Sequence, residues 1–174
     1  FLLAIPVTAT VLEDANLDQT AHELVQAAFL TCGQRCTATS RVVARKEILD
    51  ELIERVAALT RRVSTGDAVS EEAFMGPLID ARAVQKFLAA QEDDEGGKLQ
   101  PILKGGRARA DLDGHFVSPA LWLAREVDPN GSHQASEIFG PDVVFYAAED
   151  DAEVARIANA TDFGLAMSVF SADK

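Results

Sequence analysis

Cys32 and Cys36 are the chain's two cysteines, and both fall in the stretch TCGQRCTA, separated by Gly33, Gln34 and Arg35. A thiol is a nucleophile only as the thiolate, which nearby peptide N–H groups, a cation and partial exposure all favour. Arg35 and a turn at Gly33 offer Cys36 such surroundings. On residue type alone the inert reading still leads, because free cysteine is among the most buried of residues. Cys32, on the last turn of an apolar helix pattern, takes that reading. Two other chemistries fit less well. A metal site is not expected, since the imidazoles are His22, His115 and His133 and none stands in ligand spacing with the pair. Cys36 and Arg41 stand one residue too close for a phosphate-binding Cys-loop-Arg, and no glycine-rich cradle follows.

Further candidates lie in SEIFGP. Glu137 and Phe139, two apart in a loop closed by Gly140 and Pro141, are able to project toward one ligand before the next strand begins. A generic loop accounts for the same residues. In NATDFGL, Asn159 and Gly164 read best as a helix-to-strand turn with a side chain satisfying nearby backbone groups.

The elements that position these residues follow from periodicity. Leu17, Ala21, Leu24, Val25 and Ala28 recur at helical spacing, with Asn16 or Asp18 as N-cap and Gly33 to end the helix. SRVVAR is a β-branched run. Ile48, Leu49, Leu52, Ile53, Val56, Leu59 and Val63 then mark an amphipathic helix with Glu51 and Arg55 paired on its surface. Cys36 therefore sits at a helix-to-strand junction. STGDAVSEEAFMGPLID is turn-rich and reads as a surface connection, and a third helix runs around Val84, Phe87 and Leu88. FLLAIPVTATVL, LQPILK, FVSPALWL, DVVFYAA and LAMSVFS read as strands, the prolines marking edges or ends, and GGRARADLDG as a solvated loop. With EDDAEVARIANAT as a further helix, strands alternate with helices and predict an α/β fold with a mostly parallel sheet.

Composition narrows the function classes. The 174 residues fit one domain or a large piece of a bigger one. A net charge of −12 and no basic stripe argue against nucleic acid. The opening FLLAIPVTATVL is too short for a transmembrane span and lacks a basic flank, so no membrane partner is expected. Sparse cysteine predicts free thiols and a cytoplasmic setting. A chain that opens on an apolar strand and stops at FSADK is expected to belong to something longer.

GQRCTATSRV, MGPLID, FVSPAL, SEIFGPDV and ANATDFGLAMSVFS, in this order and at these separations, closely resemble the catalytic domain of the NAD(P)-dependent aldehyde dehydrogenase superfamily. The resemblance covers essentially the whole chain. AFLTCGQRCTATSRVV is most similar to the succinylglutamate semialdehyde dehydrogenases. It implies that residues 1–174 are a partial catalytic domain, truncated at both ends, with the Rossmann-like cofactor domain absent. It also implies that Cys36 is the nucleophile, attacking an aldehyde to form a thiohemiacetal and then, after hydride passes to NAD or NADP, a thioester. Glu137 would hydrogen-bond the nicotinamide ribose, Phe139 would pack at the nicotinamide end, and Gln34 and Arg35 would line the substrate tunnel. The substrate would be a small-molecule aldehyde, plausibly an anionic semialdehyde of amino-acid catabolism, and the parent a homo-oligomer.

The chain also departs from the family. The glutamate that acts as general base for deacylation falls on Leu2 in an ungapped count, and the glycines after it on Ala4 and Ile5. A departure in one block favours a sequence junction over degeneration. Loss of the base would also suit a coenzyme A-acylating relative or a non-enzymatic homologue serving as an interaction module. Without the cofactor domain, no turnover is expected of the chain as given, and an uncovered apolar face is expected where that domain would dock.

Overall fold

The computed structural model describes residues 7–67, 69–128, 130–161 and 164–173. Along the chain run β1 (Val7–Val11), α1 (Leu17–Phe29), β2 (Thr39–Arg45), α2 (Lys46–Thr60) and α3 (Ala81–Glu92). They are followed by β3 (Leu99–Leu103), β4 (Gly106–Arg107), β5 (Val117–Ser118), β6 (Ala120–Ala124), α4 (Ser132–Ala135), β7 (Asp142–Ala148), α5 (Asp151–Ala158) and β8 (Met167–Phe170). Six strands form one sheet in the order β3-β6-β7-β2-β1-β8. All its pairings are parallel except β3 with β6. The mostly parallel α/β expectation holds. Strands β1, β2, β6 and β7 are buried almost throughout, as a parallel sheet covered by helices requires.

Caps fix where the helices begin. Asn16, rather than Asp18, starts α1, its Oδ1 accepting the Gln19 N–H at 3.1 Å. Asp80, the last residue of MGPLID, starts α3 through the Ala83 N–H at 2.8 Å, and Asp150 starts α5 through the Glu153 N–H at 2.7 Å. Helix α1 stops at Phe29, short of Gly33. Cys32 (φ 55°) and Gly33 (φ 66°) are both left-handed, and the Cys32 N–H returns to the Phe29 carbonyl at 2.8 Å. Asn159 closes α5 with its side-chain amide on the Ala155 carbonyl, 2.7 Å away.

Three expectations are corrected. FVSPALWL is two strands: Pro119, which has no N–H to give, separates β5, paired with β4, from β6 in the main sheet. GGRARADLDG is not all loop, because Gly106 and Arg107 form β4. The connection ending in MGPLID lies on the surface only in part, since Met75 and Leu78 are anchored in the core. Pro101 does sit on an edge strand, β3, as its missing donor demands.

Arg41, on β2, is fully buried. Its guanidinium donates to the Ile157 carbonyl (2.8 Å) and the Thr8 hydroxyl (3.4 Å) and lies 5.2 Å over the Tyr146 ring. It ties α5, β1 and β7 together, in keeping with its exclusion as an anion receptor. Leu165, Met167 and Val169, leading into and along edge strand β8, stay more than half exposed. Among the described residues no helix is long and apolar enough to cross a membrane, and no cluster of metal-ligating side chains forms.

Phe87 of α3 is fully buried, and its ring packs on two glycine backbones. A Cβ added at Gly105 would sit 2.4 Å from the ring, and one at Gly140 2.9 Å. Phe87→Ala is expected to cost about 3–5 kcal/mol in equilibrium denaturant unfolding. A cost below about 1 kcal/mol would contradict this packing.

Candidate active site

Strands β2 and β7 are parallel neighbours, with Arg41 opposite Val144. Their leading segments, the cysteine turn before β2 and the Glu137–Gly140 loop before β7, therefore lie side by side. The two main chains touch. A Cβ on Gly33 would stand 1.9 Å from the Gly140 carbonyl oxygen and 2.9 Å from the Pro141 nitrogen, and Gly33 is also left-handed. No side chain fits there, so the glycine of GQRC serves contact as well as turning.

The two thiols differ as expected. Cys32 is sealed in the core, where desolvation pushes it up to about 12. Cys36 is half-buried, with Arg35 exposed beside it. The turn is held by the Ala38 N–H on the Arg35 carbonyl (2.9 Å), and among the described residues no hydrogen bond engages the Cys36 N–H.

Gln34 has its amide bound to backbone: Nε2 donates to the Pro77 carbonyl (3.2 Å) and Oε1 accepts the Ile79 N–H (2.8 Å). It joins the cysteine turn to MGPLID. Pro141 in turn accepts the Ala120 N–H at 2.8 Å, joining the Glu137 loop to FVSPAL. Segments found separately along the sequence thus meet at one place.

Glu137 is half-buried, and Lys86 donates to its backbone carbonyl. Phe139 is left-handed (φ 57°), a conformation that costs a non-glycine residue energy and persists only where its surroundings enforce it. A small cavity between the two segments is walled by Arg35, Ala38 and Ser40 on one side and by His133, Glu137 and Phe139 on the other. Cys36 lies beside this cavity, not in its lining. Phe139 also borders an open groove with Gln34, Pro77, Leu78 and Ile79. The structure so brings Arg35, Glu137 and Phe139 around one cavity and places Gln34 on the adjoining groove. The Leu2 position lies outside the described residues.

The sequence reading missed His133, weighed there only as a metal ligand. It is buried against Glu95, Asp142 and Trp122. Burial alone would lower its pKa, but the Glu95 hydrogen bond and the Asp142 and Glu95 charges outweigh it, and the net direction is up. Burial pushes Asp142 up, with His133, Gln91 and Trp122 pulling in the other direction. The signal in the sequence was a histidine and an aspartate flanking EIFGP at either end.

A family model described as "Aldehyde dehydrogenase family" matches residues 7–174. The chain belongs to that family. It is 36% identical over 162 residues to a 1-pyrroline-5-carboxylate dehydrogenase of Geobacillus kaustophilus (strain HTA426), covering 93% of this chain and 30% of the relative. To a protein of the same name from Bacillus subtilis (strain 168) it is 35% identical, covering 91% and 30%. Among solved structures, 1-pyrroline-5-carboxylate dehydrogenase from Thermus with bound NAD matches with a TM-score of 0.87 at 30% identity, over 97% of this chain and 32% of that one. Betaine aldehyde dehydrogenase from Staphylococcus aureus in complex with NAD+ matches with a TM-score of 0.90 at 25% identity, over 98% and 34%. The chain spans about a third of the length of these relatives.

Alkylation by iodoacetamide at neutral pH, read by peptide mass spectrometry, is expected at Cys36 and not at Cys32 until the protein unfolds. Equal modification of both thiols in the native protein would contradict the assignment.

Proposed function

We propose that this chain is the cysteine-bearing part of an NAD(P)-dependent aldehyde dehydrogenase that oxidises an anionic semialdehyde, with Cys36 as nucleophile. The observation that carries this reading is the Gly33–Gly140 contact, which seats the cysteine turn against the loop of Glu137 and Phe139. In this reading the Cys36 sulfur attacks the aldehyde carbon, and the carbonyl oxygen takes negative charge as the C–S bond forms. The Cys36 N–H, uncommitted among the described residues, points to where that charge can be received. NAD or NADP, when bound, supplies the acceptor for the two electrons and hydrogen that leave the carbon. The thioester left on Cys36 is then cleaved by water, giving the acid and restoring the thiol.

The cavity between the two segments suits a cofactor's nicotinamide end. Glu137 would hold the ribose, and the Phe139 ring would face the bound group, its backbone already fixed in a strained geometry. These residues cannot by themselves hold a whole dinucleotide, so turnover is not proposed for the 174 residues alone. Arg35, exposed next to Cys36, is the group to recognise a substrate carboxylate. The curated relatives' substrate supports this choice, because pyrroline-5-carboxylate is the cyclised form of a carboxylate-bearing semialdehyde. Gln34, its amide bound to backbone, shapes the groove instead of binding substrate by that amide.

A second reading rests on Leu2, which stands where the family has its hydrolytic glutamate. There the acyl group passes to coenzyme A. Steady-state assays of the intact protein test both readings. Cys36→Ala is expected to abolish oxidation, and Arg35→Ala to raise KM roughly 10- to 100-fold for a carboxylate-bearing semialdehyde but not for a neutral aldehyde of equal length. Free acid formed without coenzyme A supports hydrolysis. An equal KM change for both aldehydes would overturn the role of Arg35, and an active Cys36→Ala would overturn the nucleophile.

A further inference from the structure

The loop that carries Glu137 and Phe139 is closed at its base by buried charge. His133 stands four residues before Glu137, and Asp142 two residues after Gly140. The imidazole has a carboxylate at each ring nitrogen: Glu95 Oε1 lies 3.3 Å from Nδ1, and Asp142 Oδ1 3.6 Å from Nε2. The side chains of Glu95 and Asp142 are 8% and 4% exposed, and that of His133 1%. This is a built arrangement. Glu95 also accepts the His133 backbone N–H (2.9 Å) and the Ser132 hydroxyl (3.3 Å), and its carboxylate packs on Gly131, where an added Cβ would lie 2.1 Å from Oε2 and displace it. Asp142 accepts from Gln91 Nε2 (2.8 Å) and Trp122 Nε1 (3.1 Å), and the Trp122 ring meets the imidazole edge-on.

A neutral imidazole has one N–H and can satisfy one of two carboxylates; the other would face a lone pair. Two buried carboxylates without a cation are costly: burial drives Asp142 toward the neutral acid, and the His133 charge is the first influence opposing that. The charged groups raising His133 are acidic: Asp93 and Glu95 beyond α3, and Asp142 on β7. Ser40 of β2, Arg35 of the cysteine turn and Glu137 stand across the small cavity, where Ser40 Oγ and His133 Nε2 are both buried with no hydrogen-bond partner among the described residues.

We propose that His133 is a positioning residue: as an imidazolium between Glu95 and Asp142 it joins the two ends of the Glu137–Gly140 loop and holds Phe139 in its left-handed geometry, so that losing the proton loosens the cofactor-facing loop. The proposal rests on the assignment of that loop to the cofactor. Its sign agrees with the raised pKa of His133. The native state holds the proton more tightly than the unfolded chain, so the stabilisation is complete below the ordinary histidine value of 6.5 and is lost as pH rises through the native midpoint.

The test is an NMR titration of the histidine-labelled intact protein, with His133→Gln to assign the His133 signal. The expected His133 midpoint lies above 6.5, with the Phe139 and Gly140 amides shifting at the same midpoint. Asp142→Asn, which keeps an acceptor for Trp122 and Gln91, is expected to lower that midpoint. NAD+ affinity of the intact protein, measured by calorimetry, should fall at least about fivefold from about pH 6 to about pH 9, and this dependence should vanish in His133→Gln. A midpoint below 6.5, or loop amides that ignore it, overturns the proposal even if NAD+ binds well. Amides that follow His133 while NAD+ affinity stays flat overturn the cofactor assignment of Glu137 and Phe139, and with it the role of His133.

Discussion

Two glycines in van der Waals contact hold this site together. Gly33 and Gly140 bring the main chain of the cysteine turn against that of the Glu137 loop, at a separation no Cβ permits. The contact is rigid because each partner is fixed from behind. Gly33 follows a residue already in left-handed geometry, and Gly140 rests on the buried Phe87 ring. Close packing of this kind transmits position, so the half-buried thiol, the exposed Arg35 and the strained Phe139 take their places from one main-chain contact.

The sheet order makes the contact possible. In open α/β sheets ligands usually bind beyond the carboxyl ends of the strands. Here the candidate residues gather at the amino ends: Cys36 precedes β2, and Gly140 precedes β7. Adjacent parallel strands carry their leading segments side by side, so the β7-β2 pairing decides which loops meet. Fold class alone would have looked for the site at the wrong end of the sheet.

Much of the fold was legible because its signals are local. The periods of α1 and α2 and the β-branched run of β2 need only near neighbours. Pro119 was legible as a strand end but not as the divider between two sheets, which depends on what pairs with either side. Residue type favoured the inert reading for both cysteines; the resemblance set Cys36 apart, and what the structure adds is the difference in their burial. Gln34 read as a tunnel residue, but a sequence cannot show that its amide is bound by Pro77 and Ile79, more than forty residues away. His133 was missed for the same reason: its partners Glu95 and Asp142 come from two other elements, and a lone histidine carries no periodic signature.

The site is therefore a junction of segments distant in sequence, with a thiol on one side and an enforced aromatic loop on the other. Paramagnetic relaxation tests that most directly. A nitroxide attached to Cys36, with Cys32 protected by burial, should broaden the Phe139 and Gly140 amides strongly while sparing those of Glu149 and Asp150, beyond the far end of β7. Broadening no greater at Phe139 and Gly140 than at Glu149 and Asp150 would contradict the account.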